Sequence, residues 1–445
     1  MTIVNYKNTS IAVLGFGVEG KAVVNYFYKN YPDKEICVID ESLNTTKTNN
    51  SNNIHYISGK NSLDCLIDFD IVFISPGISI YRNEIVMAKQ SGVLFSSASQ
   101  LWYDHHKDDL TIFVTGTKGK STTSSLIHHV LNKLNDNVHL IGNIGIPAVD
   151  KVDMPFDNNI WIVELSSFQS ATLKANPDIS VLLNLYPEHI DWHGSVEQYY
   201  RDKLRIIANT TRKGTAIINY KNKNIISNLL GIGCWINFND PSCIHHRDNR
   251  IYNGKKIICQ DRDIPLNGNH NLENICAMLC VIEKMGIEHN QAIELLHDYH
   301  SLPHRMQEFA TINGVLFVDD SISTIPQSAM EAINYYEIRN TTLILGGLDR
   351  GLDWGEFSIW LSMSKVSNII GLPDTGHTVV NNIRSTSNDN KIQLFIVDDL
   401  EDAVSIAKKL TPTHGVVLLT PASPSQNKYR DYKERGDLFK KFVLQ

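Results

Sequence analysis

The chain has 445 residues, which at roughly 150 residues per domain suggests about three domains. Its 41 Lys+Arg against 48 Asp+Glu leave a formal net charge of −7, which argues against nucleic acid as a main partner, because phosphate binding needs a basic surface. Hydrophobic residues make up 42% and charged residues 20%, enough apolar material for packed cores, so wholesale disorder is excluded.

No apolar run approaches the ~18 residues needed to cross a bilayer. Met1–Lys7 lacks a basic stretch followed by a long apolar one, so neither membrane insertion nor a signal peptide is expected. The cysteines are Cys37, Cys65, Cys234, Cys243, Cys259, Cys276 and Cys280, an odd number with no C-x-x-C pair. That usage reads as a reduced, cytoplasmic protein. Cys276 and Cys280 stand one helical turn apart and read as packing residues.

The first predicted strand, Ile11–Leu14, runs into Gly15-Phe16-Gly17-Val18-Glu19-Gly20. Asp40 ends the next strand, Ile36–Ile39, at the ~20-residue distance of a ribose-binding acid. That fingerprint alone suggests NAD, but any nucleotide diphosphate can use it. Asn44–Asn53 reads as a surface loop, Ile71–Ile74 as a third strand, and Asp104–Asp108 as the polar end of a first block, 1–108.

A second block, 109–304, opens with strand Ile112–Val114 and Thr115-Gly116-Thr117-Lys118-Gly119-Lys120-Ser121-Thr122, followed by a helix over Lys120–Leu134. Glycines let backbone N–H groups curl around phosphate oxygens, and the helix N-terminus adds positive potential. Lys120 can reach β/γ-phosphates and Ser121 can hold Mg²⁺. Only Thr117 and Lys118 separate the two glycines, which is shorter than the usual loop. Glu164 ends the strand Trp161–Val163, on the ligand side of such sheets, and is a candidate Mg²⁺ ligand. His189 follows strand Ser180–Leu183. It and His193 are four apart, but no further zinc ligands are arranged nearby, which leaves one Mg²⁺-linked histidine and a bystander His193. Lys203 lies in a helix over Val196–Ile207 and by composition reads as a solvated surface lysine. Asn239–Lys256 reads as loops or hairpins, and Leu272–Met285 as a helix.

The third block, 305–445, has strands Val315–Val318, Thr342–Leu345, Leu394–Val397 and Val416–Leu419 and a helix Leu400–Leu410. Strand–helix alternation throughout predicts an α/β protein of parallel sheets covered by helices, with no solenoid repeat.

Taken together, Thr115–Thr122, Glu164-Leu165-Ser166-Ser167-Phe168-Gln169, Glu188-His189-Ile190-Asp191 and Lys203 resemble the Mur ligase family, ATP-dependent amino-acid ligases of peptidoglycan synthesis. Gly268-Asn269-His270-Asn271-Leu272-Glu273-Asn274 and Leu302-Pro303-His304-Arg305 extend the resemblance over nearly the whole chain. It implies a Rossmann-like UDP-binding domain (1–108), a central P-loop ATPase domain (109–304) and a Rossmann-like C-terminal domain (305–445) that takes the amino acid. Ser75-Pro76-Gly77-Ile78 and Asn143-Ile144-Gly145 look like the members that add glutamate to UDP-N-acetylmuramoyl-L-alanine.

The resemblance implies a site residue by residue. Gly116, Thr117, Lys118, Gly119, Lys120, Ser121, Thr122, Asn271, Asn274, Arg305 and Asp320 bind ATP. Gly15, Gly17, Asp40, Gly77, Asn143 and His189 bind the UDP-sugar. Ser121, Glu164, His189 and Lys203 serve two Mg²⁺ ions, with Lys203 carbamylated by CO₂, and Lys120, His189 and Lys203 carry the chemistry. Thr324, Arg350, Ser425 and Tyr432 hold glutamate. The common D-glutamate-adding pattern is Asp-Ser-Lys-Ala-Thr-Asn, where this chain has Asp320-Ser321-Ile322-Ser323-Thr324-Ile325. Arg350 stands where a lysine is usual. These departures look like the subgroup that adds L-glutamate ahead of an epimerase. The alternatives are the D-glutamate-adding ligase, a folylpolyglutamate-type ligase, an NAD-dependent oxidoreductase built on Gly15–Gly20, and a regulator with a dead ATP site.

Overall fold

The computed structural model describes residues 6–41, 53–143, 148–210, 214–229, 235–266, 268–300, 303–324, 326–336, 340–349, 354–386 and 392–445. The chain forms two compact units, Met1–Tyr299 and His300–Gln445. The Asn44–Asn53 loop falls outside the described residues except for Asn53.

The first unit holds two sheets. The first comprises β1 (Ile11–Leu14), β2 (Ile36–Asp40), β3 (Ile54–Ser58), β4 (Ile71–Ile74) and β5 (Leu94–Ser96), in the order β3-β2-β1-β4-β5 with every pairing parallel. All four residues of β1 and of β4 are buried, as continuous apolar runs between two helical layers must be. Ser97 caps the helix Ala98–His106 by accepting the Gln100 N–H.

The second sheet comprises β6 (Leu110–Thr115), β7 (Val138–Gly142), β8 (Ile160–Glu164), β9 (Ile179–Leu182), β10 (Thr215–Asn219), β11 (Trp235–Phe238), β12 (Ile244–Arg247), β13 (Arg250–Asn253) and β14 (Lys256–Gln260). Its order is β14-β13-β12-β11-β10-β9-β6-β8-β7. Strands β6 to β12 pair in parallel, and the last two turn back as antiparallel hairpins. The β12–β13 turn uses Asp248 and Asn249, both with positive φ (49° and 56°), the residues and conformation such a two-residue turn requires. The expected hairpin in Asn239–Lys256 is therefore present. One buried cluster, with Phe27, Phe73, Trp102, Trp161 and Ile206, joins the two sheets; the Trp102 and Trp161 rings meet edge to face at 5.3 Å.

The second unit is one sheet of β15 (Gln307–Ile312), β16 (Val315–Asp319), β17 (Thr341–Gly347), β18 (Asn368–Asp374), β19 (Gln393–Ile396) and β20 (Val416–Leu419). Its order is β15-β16-β20-β17-β18-β19, parallel except for the antiparallel edge strand β15.

Candidate active site

In the central sheet β6 lies between β8 and β9, so successive crossovers leave it in opposite directions. A ligand crevice opens at such a switch point, beyond the strands' carboxyl ends. The loop Gly116–Gly119 sits there, between β6 and the helix Lys120–Asn132. Gly119 has φ +82°, and a Cβ on it would strike the Asn274 carboxamide oxygen; a Cβ on Gly116 would lie 3.0 Å from Leu183 Cβ. The loop is thus seated directly on the end of β9 and on the helix Asn269–Lys284. Asn184 closes it from outside. Its Oδ1 accepts the Lys118 N–H at 2.7 Å and its Nδ2 donates to Lys118 O at 3.1 Å. The Thr117 hydroxyl is turned into the protein, 2.9 Å from the Tyr199 hydroxyl. Thr122 follows, buried in the first turn of the helix.

Two amines converge on one carbonyl. Lys120 Nζ donates to Gly116 O at 3.0 Å and to Thr117 O at 2.9 Å, while Lys203 Nζ donates to the same Gly116 O at 2.9 Å. Lys203 is 2% exposed, which corrects its reading as a solvated surface residue. It lies on the buried face of the helix Val196–Thr210, with its amine 5.2 Å from the Tyr199 ring. Burial first, and the Lys120 charge second, hold its pKa well below the ordinary lysine value, against Glu188 and Glu164.

Glu164, at the end of β8, is 1% exposed. Its Oε1 accepts from Asn143 Nδ2 at 2.9 Å, and its Oε2 has no hydrogen-bond partner among the described residues. A buried carboxylate oxygen without a donor is costly unless a cation faces it. Glu164 therefore fits a metal ligand, with Ser121 in the first turn of the adjoining helix. His189 takes a left-handed conformation (φ 55°) at the N-terminus of the short helix Ile190–His193, its ring 4.8 Å from Phe168. Burial holds its pKa down, opposed by Glu188 and assisted by the Lys203 charge, so the neutral, metal-binding imidazole is favoured. His193 is committed elsewhere: its Nδ1 lies 2.6 Å from Asp202 Oδ2 and its Nε2 3.0 Å from Ser167 Oγ. Among the described residues no three His, Cys, Asp or Glu gather as a metal site. A hydroxyl, a carboxylate and an imidazole beside a phosphate loop suit Mg²⁺ completed by phosphate oxygens.

The first sheet carries a cleft of about 570 Å³ lined by Gly15, Gly17, Glu19, Asp40, Ser75 and Gly77, among others. Asp40 Oδ2 accepts the Phe16 N–H at 2.8 Å, so one oxygen of the expected ribose acid braces the glycine turn. Glu19 Oε1 accepts from Gln169 Nε2 at 2.8 Å, and Gln169 also completes the capping box with Ser166 two residues beyond Glu164. Behind the cleft, Trp192 Nε1 donates to the O of the cleft-lining Pro76 at 3.0 Å, and Tyr81 donates to both oxygens of Asp202 at 2.7 and 2.8 Å. The cleft and the phosphate-loop site are thus hydrogen-bonded to each other.

In the second unit, Asp320 is 2% exposed and follows β16. Its Oδ1 accepts the Met306 N–H at 3.0 Å and its Oδ2 the Thr420 hydroxyl at 2.7 Å. Burial pushes its pKa up to about 6 against these bonds and the neighbouring Arg305 charge. Ser425 is 1% exposed and its hydroxyl has no partner among the described residues. Thr324 is half-buried, and Tyr432 starts the last helix, Tyr432–Leu444. Arg350, Ile144, Gly145 and Leu302 lie outside the described residues. Asn271 and Asn274 share the first turns of the helix Asn269–Lys284, where Asn274 Oδ1 accepts from Thr123 Oγ1 at 3.3 Å. Residue reasoning missed Asn184, Tyr199 and the Gln169–Glu19 bond. Asn184 was findable as a polar residue just past a buried strand; Tyr199 carried no signal beyond its helical spacing from Lys203.

The Mur ligase MurD-like N-terminal domain description matches residues 9–96, and the Mur ligase middle domain description matches residues 114–282. A Xanthomonas oryzae pv. oryzae protein named UDP-N-acetylmuramoyl-L-alanine--L-glutamate ligase is 32% identical, covering 99% of this chain and 96% of its own length. A Micromonospora protein of the same name is also 32% identical, covering 100% and 98%. Among solved structures, MurF ligase from Thermotoga maritima in complex with ADP has a TM-score of 0.60 at 18% identity, covering 99% of this chain and 97% of that one, a likeness of fold. With similarity of this level along its full length, the chain belongs to the Mur ligase family.

Proposed function

We propose that the chain joins glutamate, with L-glutamate favoured, to UDP-N-acetylmuramoyl-L-alanine in the cytoplasm, at the expense of ATP and through an acyl phosphate. The observation that carries this reading is the convergence of Lys120 and Lys203 on Gly116 O beside the Glu164 oxygen that has no partner among the described residues. The curated names of full-length relatives support the substrates and the L-isomer. Blocks 1–108, 109–304 and 305–445 would serve UDP-sugar, ATP and amino acid in turn.

ATP would lie along Gly116–Thr122, with Asn271 and Asn274 on the nucleoside side and Arg305 and Asp320 completing its binding. Gly15, Gly17, Asp40, Gly77, Asn143 and His189 would hold the UDP-sugar. Its alanine carboxylate attacks the γ-phosphorus, the bond to ADP breaks, and Lys120 offsets the charge that builds on the transferring group. The glutamate amine then attacks the acyl carbonyl, phosphate leaves, and the amine gives up its proton. Thr324, Arg350, Ser425 and Tyr432 would receive glutamate, with Arg350 pairing to a carboxylate in fork geometry. Bound Mg²⁺, two ions on this reading, supplies neutralisation between an anionic nucleophile and an anionic phosphate. Ser121 and Glu164 would hold one ion, and His189 and Lys203 the other. For that the Lys203 amine takes up CO₂ and releases a proton to become a carbamate, which its depressed pKa favours.

Phosphate release should require ATP, the UDP-sugar and glutamate together. L-Glutamate should exceed D-glutamate at least roughly tenfold in kcat/KM, a gap of about 1.4 kcal/mol, because the wrong enantiomer leaves a charged group unpaired in a desolvated pocket. Preference for the D-isomer would overturn the L-assignment alone. Release that ignores glutamate or the UDP-sugar would overturn the ligase reading.

A further inference from the structure

Arg435, in the helix Tyr432–Leu444, is fully buried, and among the described residues its guanidinium has no carboxylate as a hydrogen-bond acceptor. Nε donates to Ser321 Oγ at 3.0 Å and Nη2 to Ser321 O and Ser423 O, each at 3.0 Å. Nη1 donates to Gly346 O at 3.2 Å and Pro424 O at 3.4 Å. The nearby acid, Asp319, is already bonded to His304 Nδ1 at 2.7 Å and paired with Lys440 at 3.2 Å. Burying a cation against neutral oxygens is costly, and an apolar side chain would fill the space more cheaply. What the guanidinium adds is geometry, because five donors in one rigid plane fix the spacing of whatever they bind.

The bound segments leave three adjacent strands, β16, β17 and β20, at their carboxyl ends. Each leads to a residue already assigned to the amino acid. Ser321 precedes Thr324 by three positions, and its hydroxyl donates to Tyr432 O at 2.8 Å. Gly346 leads towards Arg350, and the intervening Leu348 N–H donates to Pro424 O at 2.8 Å. Ser423 and Pro424 lead to Ser425, whose buried hydroxyl has no protein partner among the described residues. A buried hydroxyl of that kind is satisfied when a ligand's polar group meets it.

We propose that Arg435 is the positioning residue of the amino-acid pocket. Its fork sets the spacing of the Ser321, Gly346 and Ser423–Pro424 segments, and its charge lies beneath them, so that the pocket receives an acidic amino acid. This rests on the ligase reading above.

Arg435→Lys keeps the charge and loses the fork. In the full-length protein it should raise the KM for glutamate about tenfold or more, with the KM values for ATP and the UDP-sugar within about twofold, measured below the variant's lowered Tm. Ser321→Ala removes one acceptor hydroxyl and should raise the same KM alone, by roughly threefold; it decides the matter if Arg435→Lys does not fold. An unchanged glutamate KM in a folded variant, or all three KM values rising together, overturns the proposal. The wild type is first assayed with a panel of amino acids. If it uses one other than glutamate, the substrate reading falls, and the KM for that amino acid then tests Arg435.

Discussion

Lys120 and Lys203 share a carbonyl oxygen, yet their roles separate by burial. Lys120 is half-buried at the loop mouth, so its charge is available to a phosphate, and Lys120→Ala should cut phosphate release roughly a hundredfold or more without moving the Tm. Near-normal release would remove it from the mechanism. Lys203 is sealed in, and burial holds its pKa well below the ordinary lysine value, which favours carbamylation. Lys203→Ala should inactivate, and acetate or formate should restore part of the activity; mass spectrometry and crystals of metal-loaded protein should show the carbamate, and an unmodified Lys203 there would refute it. Nothing in the composition around Lys203 announced burial. The helix carries Glu197, Arg201 and Asp202 on neighbouring positions, and only packing against Gly116 and Tyr199 picks out the lysine's face. Asp320 gives a pH test. Its folded pKa of about 6 exceeds the ordinary 3.8, so the folded chain holds that proton more tightly than the unfolded one. The stabilisation is complete below about pH 4 and is lost as pH rises through 6, roughly 3 kcal/mol in all. Melting curves of wild type and Asp320→Asn should therefore diverge between pH 4 and 6.5, with the wild type losing relative stability; parallel curves would show that Asp320 does not titrate in this window.

Elements buried on both faces were the legible ones. Ile11–Leu14, Ile71–Ile74 and Val416–Leu419 match their predicted bounds because an unbroken apolar run admits no other placement. Val138–Gly142 was missed because it edges its sheet and carries His139. The phosphate loop was legible in type and order, whereas its brace, Asn184, belongs to another strand end. The glycine turn of the first sheet offers a contrast at this scale. A Cβ at Gly20 would collide with the Gly15 carbonyl, which is backbone and cannot yield, whereas Gly17 has open space and an ordinary φ. Gly20→Ala should therefore cost about 1–3 kcal/mol and lower the Tm. Gly17→Ala should leave the Tm unchanged and weaken only ligand binding in the cleft. Equal melting temperatures for the two variants would contradict the packing described.

At the scale of the whole molecule, the question is why one chain carries two nucleotide-type folds. A dinucleotide cofactor in the first cleft would have no need of a separate phosphate loop. The cleft instead hydrogen-bonds to the central site through Glu19–Gln169, Pro76–Trp192 and Tyr81–Asp202, and Asp202 adjoins Lys203. Such ties suit one substrate whose far end is gripped in the cleft while its reactive end reaches the phosphate loop. Calorimetry on the full-length protein should show UDP binding and no binding of NAD or NADH. Tyr81→Phe removes one tie and should raise the KM for the UDP-sugar roughly fivefold while leaving that for ATP unchanged. Tight NAD binding without UDP binding would overturn the assignment of the cleft, and an unaltered UDP-sugar KM in Tyr81→Phe would show that the bond to Asp202 does not position the substrate.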